Sequence, residues 1–422
     1  MSNSAAVATR LSCRFCSEPL KDSFCNLGKT PISNAFLNAD QLLEEEPTYP
    51  LHAFVCSKCW LVQIGLYEPP ENIFDDSYLY FSSFSTTWLQ HSEQFVKEAL
   101  RRFHLGEASL AVELASNDGY LLQYFLEEGV KVLGIEPSAS VAKVALEKGI
   151  DTRIEFFGVE SAKRLACEGM RADILVGNNV LAHVPDINDF VGGMKILLKE
   201  RGVISMEFPH LLSLIQENQF DTIYHEHFSY ISALAASTIF AKHGLEIFDI
   251  EKLPTHGGSL RIWAQHTKGP HERSSSVAAL LDEEIAYGLN QRETYLHFSD
   301  QVEALREKLR GLIFEIKESG ASIVCYGAAA KGNTLLNYCG ISHKEIDYAV
   351  DRNTYKVGKW LPGSHIPVCE VDKIMETEPE YIMILPWNLK EEIIDQMAGI
   401  RGWGGKFIVP IPEPIVIDFE DR

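Results

Sequence analysis

Nowhere does the 422-residue sequence carry the roughly 18 consecutive apolar residues that cross a bilayer, and no apolar run follows Met1. Neither a membrane span nor a secretory leader is expected, which leaves the cytoplasm as the expected location. Basic charge is also scarce: 38 lysines and arginines face 59 aspartates and glutamates, a net −21, and the cations form no extended block. That balance argues against a nucleic-acid backbone or an anionic membrane as partner, so any anionic ligand must be small and locally held. Low-complexity tracts and internal repeats are missing. Because the expected compartment is reducing, the nine cysteines do not read as a disulfide framework.

Their spacing says more than their number. Cys13 and Cys16 form one CxxC, and Cys56 and Cys59 form another. Each pair offers two thiolates from a tight knuckle, and four thiolates close a tetrahedron with no open position, so a structural zinc is expected. Cys25 falls outside the spacing and reads as a spare thiol.

The chain is too long for one ordinary core and fits two or three domains. After a polar and aromatic stretch, "SLAVELAS", "KVLGIEPS", "ADILVGNN" and "GVISMEFPH" read as strands separated by helical patterns, which argues for a doubly wound α/β sheet. Residues 271–319 look like a helical connector, and "SIVCYGAAAKGNTLL", "EIDYAVDRN", "YIMILPWN" and "KFIVPIP" restart the alternation as a second, smaller α/β domain.

GxGxxG is absent from the first turn: in "ELASNDGY", Glu113 and Gly119 frame a small-residue turn containing Ala115, Ser116 and Asn117. Such a turn lets a ligand approach the backbone and the N–H groups of the following helix. Glu136, followed by Pro137, ends the second strand, where an acidic group accepts hydrogen bonds from two ribose hydroxyls. Both NAD and S-adenosylmethionine carry that ribose. The missing glycines disfavour a pyrophosphate, and the loop "GNNVLAHVPD", with Asn178 and Asn179, commonly edges a methyl-donor pocket, so S-adenosylmethionine is the expected cofactor. Phe156 and Phe157 are candidates to flank its adenine. In the C-terminal domain, Lys331 in "CYGAAAKGNTLL" could meet phosphate charge at a helix start.

"FDTIYHEHFSY" gathers two histidines, a glutamate and two tyrosines without HExxH spacing, which disfavours a catalytic metal. Here the chain resembles the S-adenosylmethionine-dependent C-methyltransferases of deoxysugar biosynthesis, in particular those acting at C-3 of TDP-3-amino-2,3,6-trideoxy-4-keto-D-glucose on the route to nitrosugars. The resemblance covers nearly the whole chain and rests on the four cysteines, "SYLYFSSFS", "VELASNDGYLL", "GNNVLAHVPD", "FDTIYHEHFSYIS", "LPTHGGSLR", "YGAAAKGNTLLNY", "LPGSHIPV" and "ILPWNL". It implies a zinc module at 1–75, a Rossmann-like methyltransferase domain at 76–268, and a connector with a Rossmann-like nucleotide-sugar domain at 269–422.

The resemblance also implies His227 as the base that removes the proton beside the ketone, with Tyr224 and Glu226 orienting the sugar and Tyr78 and His183 at further active-site positions. It places Tyr80, His225, Lys331 and Asn333 at the nucleotide-sugar, expected to be TDP-linked, and leaves monomer or dimer open. The chemistry suits the residues, because a carbon acid this weak needs a positioned base and a donor to the enolate oxygen. C-3 and C-5 both flank a C-4 ketone, so the methylated carbon stays open. An NAD-dependent nucleotide-sugar oxidoreductase or epimerase, a non-catalytic zinc-knuckle scaffold and an oxygen or nitrogen methyltransferase are the competing readings.

Overall fold

A computed structural model of the chain describes residues 11–66 and 81–418, so Tyr78 and Tyr80 lie outside the described residues. Three strands, β1 (Asp22–Thr30), β2 (Tyr49–Val55) and β3 (Val62–Ile64), form an antiparallel N-terminal sheet. Then come β4 (Leu110–Leu114), β5 (Lys131–Ile135), β6 (Thr152–Arg153), β7 (Ala172–Asn178) and β8 (Leu198–Pro209). Strand β9 (Ser229–Tyr230) leaves this series and pairs with β3, adding a fourth strand to the N-terminal sheet. With β10 (Leu245–Leu253) and β11 (Ser259–His266) the middle sheet reads β10-β11-β8-β7-β4-β5-β6.

The middle sheet is parallel from β8 to β6, and β10 and β11 close it antiparallel. Strand β4 is buried along its whole length, as a strand covered by helices on both faces must be. The helices are specified locally: the side chains of Ser85, Asp186, Ser232 and Ser274 each accept a backbone N–H at a helix start. The expected connector consists of the helices Ser275–Tyr287, Arg292–Leu296 and Phe298–Glu318. Gly288, at φ 100°, ends the first of them.

The C-terminal sheet contains β12 (Ile323–Tyr326), β13 (Ala349–Val350), β14 (Val368–Cys369), β15 (Tyr381–Ile384), β16 (Lys406–Val409) and β17 (Ile415–Ile417), in the order β14-β13-β12-β15-β16-β17. It too is parallel except for its last strand. Each large sheet therefore has a point where the strand order reverses, between β4 and β7 in one and between β12 and β15 in the other. Ligands of open α/β sheets bind outside the strand ends at such points. Among the described residues, no helix is long and apolar enough to cross a membrane.

Candidate active site

Both reversal points open onto one cavity of about 340 Å³, a volume in the range of small-molecule sites. On the middle-sheet side it is lined by Trp88, Ala115, Asn117, Tyr120, Glu136, Pro137, Phe156, Phe157, Asn178 and Asn179. The turn after β4 bends sharply because Ala115, Asn117 and Gly119 all take positive φ, at 54°, 49° and 75°. Asn117 N–H and Ser138 N–H donate to the Glu136 carboxylate at 3.0 and 2.9 Å, fixing it at the end of β5. Burial nevertheless raises the Glu136 pKa to about 7, against which these two bonds work. A buried carboxylate held by two backbone donors beside a left-handed turn suits a ribose diol, so these residues fit S-adenosylmethionine.

Two expected cofactor residues act from outside the cavity lining. Glu113 is fully buried beneath the turn, and burial raises its pKa well above the carboxylate range. Gly119 is required by its conformation and by space, since a Cβ there would come within 2.3 Å of Ile150 Cδ1.

The "YHEH" stretch crosses between domains. It follows a short 3₁₀ turn, Phe220–Thr222, and runs into β9, so it is pinned at one end to the methyltransferase domain and at the other to the N-terminal sheet. His227 Nδ1 donates to the Thr222 carbonyl at 2.9 Å. A neutral imidazole must then carry its lone pair on Nε2, which lies 2.7 Å from the Tyr224 hydroxyl. The His183 ring stands edge-on to His227 with centroids 4.6 Å apart. Burial, and then the neighbouring His183, hold the His227 pKa well below the usual histidine value; burial brings His183 to about 4. Both rings are thus neutral near pH 7.

Glu226 also lines the cavity, and its Oε1 accepts from Asn34 Nδ2 at 3.1 Å. Burial raises its pKa to about 7, opposed by Asn34. His225, expected at the sugar, turns the other way: it is buried, and its Nε2 donates to the Pro50 carbonyl of β2 at 3.3 Å. His225 and Glu226 are the two central residues of a turn closed by His227 N–H donating to the Tyr224 carbonyl at 2.9 Å, and their side chains leave that turn toward β2 and toward the cavity respectively.

From the C-terminal sheet, Lys331 and Lys356 reach the cavity. Lys331 Nζ donates to Asn388 Oδ1 at 2.9 Å and sits 4.8 Å from the Trp387 ring centroid. Lys356 Nζ donates to the Ala328 carbonyl at 2.9 Å. Asn333, the other expected C-terminal contact, is buried in the helix Ala330–Cys339 away from the cavity lining.

The four cysteines converge as their spacing requires. Their sulfurs lie within 4.8 Å of one another, with Cys13 and Cys59 3.5 Å apart and Cys16 and Cys59 3.7 Å apart. A tetrahedron of Zn–S bonds of about 2.3 Å has edges of about 3.8 Å, so the set fits zinc. Arg14, between the first two cysteines, ties the module to the methyltransferase domain by donating to the Pro185 carbonyl at 2.9 Å, two residues beyond His183.

Several lining or supporting residues were not singled out from the sequence. Asp221, His256 and Trp387 lie inside the quoted motifs, which gave them no role. Asn34 and Lys356 carried no local signal, because only the fold brings them to the cavity.

A Rossmann-like fold with a buried carboxylate at a strand end, a neutral buried histidine and a closed four-cysteine cluster fits a zinc-containing, S-adenosylmethionine-dependent methyltransferase. Family models agree along the chain: residues 13–74 match "Putative zinc binding domain", 89–250 match "Methyltransferase domain", and 254–412 match "C-methyltransferase C-terminal domain". The chain is 36% identical over 408 residues to the C-methyltransferase NovU of Streptomyces niveus, covering 97% of each protein. It belongs to this C-methyltransferase family. Among solved structures, the PH0226 protein of Pyrococcus horikoshii OT3 aligns with 44% of this chain and 95% of its own at 14% identity and a TM-score of 0.37. Magnesium protoporphyrin IX methyltransferase of Synechocystis PCC 6803 with bound SAM aligns with 48% and 100% at 14% identity and 0.35.

Proposed function

We propose that the enzyme methylates a carbon beside the ketone of a nucleotide-linked, TDP-type 4-keto-deoxysugar, at C-3, with His227 as base. The observation that carries this reading is the fixed tautomer of His227: Nδ1 is occupied by the Thr222 carbonyl, which leaves Nε2 basic and directed to the Tyr224 hydroxyl at the cavity. The family membership, the two cavity lysines and the negative overall charge support a small, locally held anionic substrate. The three separate family matches support a division into a zinc module (1–75), a methyltransferase domain (76–268) and a nucleotide-sugar domain (269–422).

In this reading Glu136 holds the cofactor ribose, with Ala115, Asn117, Pro137, Asn178 and Asn179 around it. When bound, S-adenosylmethionine would supply an electrophilic methyl group to the enolate carbon, with the C–S electron pair remaining on the departing sulfur. His227 Nε2 takes the α-proton, and the C–H electron pair moves into the enolate. Tyr224, whose hydroxyl caps Nε2 in the free enzyme, swings to donate to the enolate oxygen once the substrate enters. His183 stays neutral beside it, so it does not compete for the proton with a positive charge of its own. A lowered pKa keeps His227 unprotonated near pH 7, and imidazolium formed in the reaction is stabilised by the developing enolate. The test is product analysis by mass and NMR with a panel of TDP-4-keto-6-deoxysugars. Methylation at C-5 would move the regiochemistry, and oxidation coupled to NAD would overturn the reading.

A further inference from the structure

Asp221 is the one carboxylate of "FDTIYHEHFSY" with no role in the chemistry above. Its side chain is fully buried, its Oδ1 has no hydrogen-bond partner among the described residues, and its Oδ2 accepts from Trp387 Nε1 at 2.7 Å. Burying an acidic group in this way is unfavourable unless an opposite charge stands near. Lys331 supplies that charge from over the ring of the same indole, 4.8 Å from its centroid, while Asp221 holds the N–H edge.

The arrangement is specific to the fold. Asp221 belongs to the 3₁₀ turn whose Thr222 carbonyl fixes His227, Lys331 follows β12, and Trp387 follows β15. Trp387 therefore stands at the reversal point of the C-terminal sheet and touches both charges. It is also wedged against Gly257, where a Cβ would lie 2.5 Å from Cη2, so the indole has little room to move. Lys331 also acts on His227 and His256, which are neutral near pH 7 and give it no counter-charge, while Glu226 and Lys356 line the same cavity.

Resting on the proposed substrate class, we infer that Asp221 is a positioning residue: through Trp387 and its own charge it holds the Lys331 ammonium aimed into the cavity, where Lys331 binds the diphosphate of the nucleotide-sugar. Burial lowers the Lys331 pKa and Asp221 works against that loss, which agrees with this assignment. The same turn then holds the base to the methyltransferase domain and the phosphate-binding cation to the C-terminal domain, linking the two ends of the substrate.

Asp221→Asn tests this, because the amide oxygen can still accept from Trp387 while the charge is lost. Calorimetry with thymidine diphosphate should be run on the full-length, zinc-loaded enzyme saturated with S-adenosylhomocysteine. Lys331→Met and Asp221→Asn should each weaken thymidine diphosphate roughly ten- to a hundredfold, the range of one charge-assisted hydrogen bond. The double variant should bind no more weakly than Lys331→Met, and Asp221→Glu should recover part of the loss. Binding of S-adenosylhomocysteine should stay at the wild-type level in every variant, which excludes general misfolding. Wild-type diphosphate affinity in Asp221→Asn, or additive losses in the double variant, would overturn the inference and leave C-methylation of a TDP-ketosugar standing. No binding of thymidine diphosphate by the wild type would overturn the inference and the TDP-sugar reading together, while methyl transfer to a ketosugar with another nucleotide would remain separately measurable.

Discussion

Two strand-turn-helix crevices of the same topology face one cavity, and they carry opposite charge. After β4 the turn is small and left-handed, and its partner strand ends in the carboxylate of Glu136. After β12 the turn leads instead to Lys331, with Lys356 beside it, and among the described residues no carboxylate from this sheet lines the cavity. Parallel sheets deliver loops to their carboxyl ends whatever the sequence, so topology explains why a ligand binds at each place. In the proposed reading side-chain charge then decides which ligand: hydroxyls and a cationic sulfur at the first, an anion at the second. Between them stands "YHEH", anchored to the methyltransferase side by the Thr222 carbonyl and to the zinc module by β9 and Asn34.

Removing zinc is the severest way to break this comparison, since metal binding supplies roughly 10 kcal/mol or more to small zinc-dependent folds. Strand β9 pairs with β3 of this module, and Asn34 reaches Glu226, so losing the module disturbs the group between the crevices rather than one crevice alone. We expect about one zinc per chain by elemental analysis, and Cys56→Ser or chelation should lower the melting temperature together with affinity for both ligands. A metal-free protein of full stability would refute the structural role.

His227→Asn should separate chemistry from both crevices. Turnover should fall by roughly two to four orders of magnitude while S-adenosylmethionine and thymidine diphosphate bind nearly as before. Wild-type enzyme with S-adenosylhomocysteine should exchange the substrate α-proton with deuterium, and the variant should not. Exchange that survives in the variant would shift the base to Tyr224 or His183.

Glu136→Ala should act on one crevice only, weakening S-adenosylmethionine by about ten- to a hundredfold in a calorimetric titration and leaving thymidine diphosphate unaffected. Equal loss of both ligands would show that the two crevices are not independent.

The smallest effect concerns pH. Burial raises Glu226 from an ordinary 4.5 to about 7, so between those values the folded protein keeps a proton that the unfolded chain has released. Its contribution to stability is therefore most favourable below pH 4.5 and is lost as pH rises through 7. Urea melts at about pH 5 and about pH 8 should show a stability loss that Glu226→Gln reduces. Glu136 and Asp221, raised in the same direction by burial, keep part of the slope in that variant. An unchanged slope would mean that Glu226 is better solvated than its burial implies.

Much of this was written locally. CxxC spacing specifies two knuckles wherever they meet, because each is a tight turn closed by its own backbone. The buried run of β4, the small-residue turn after it and the acidic end of β5 sit within about one supersecondary unit, so period and turn chemistry were enough to place Glu136. His227 was singled out only through the family resemblance, since nothing in the sequence shows that the Thr222 carbonyl, five residues away, sets its tautomer. What tertiary structure alone decided were the contacts across large sequence separations: Asn34 on Glu226, 192 residues apart, and Trp387 on Asp221, 166 apart. It also turned His225 into β2 and left Asn333 buried, since the sides of a segment that face a cavity depend on which elements pack against it. Local patterns fix which residues share a turn or a strand end; only the packing of three sheets determines which of those ends meet.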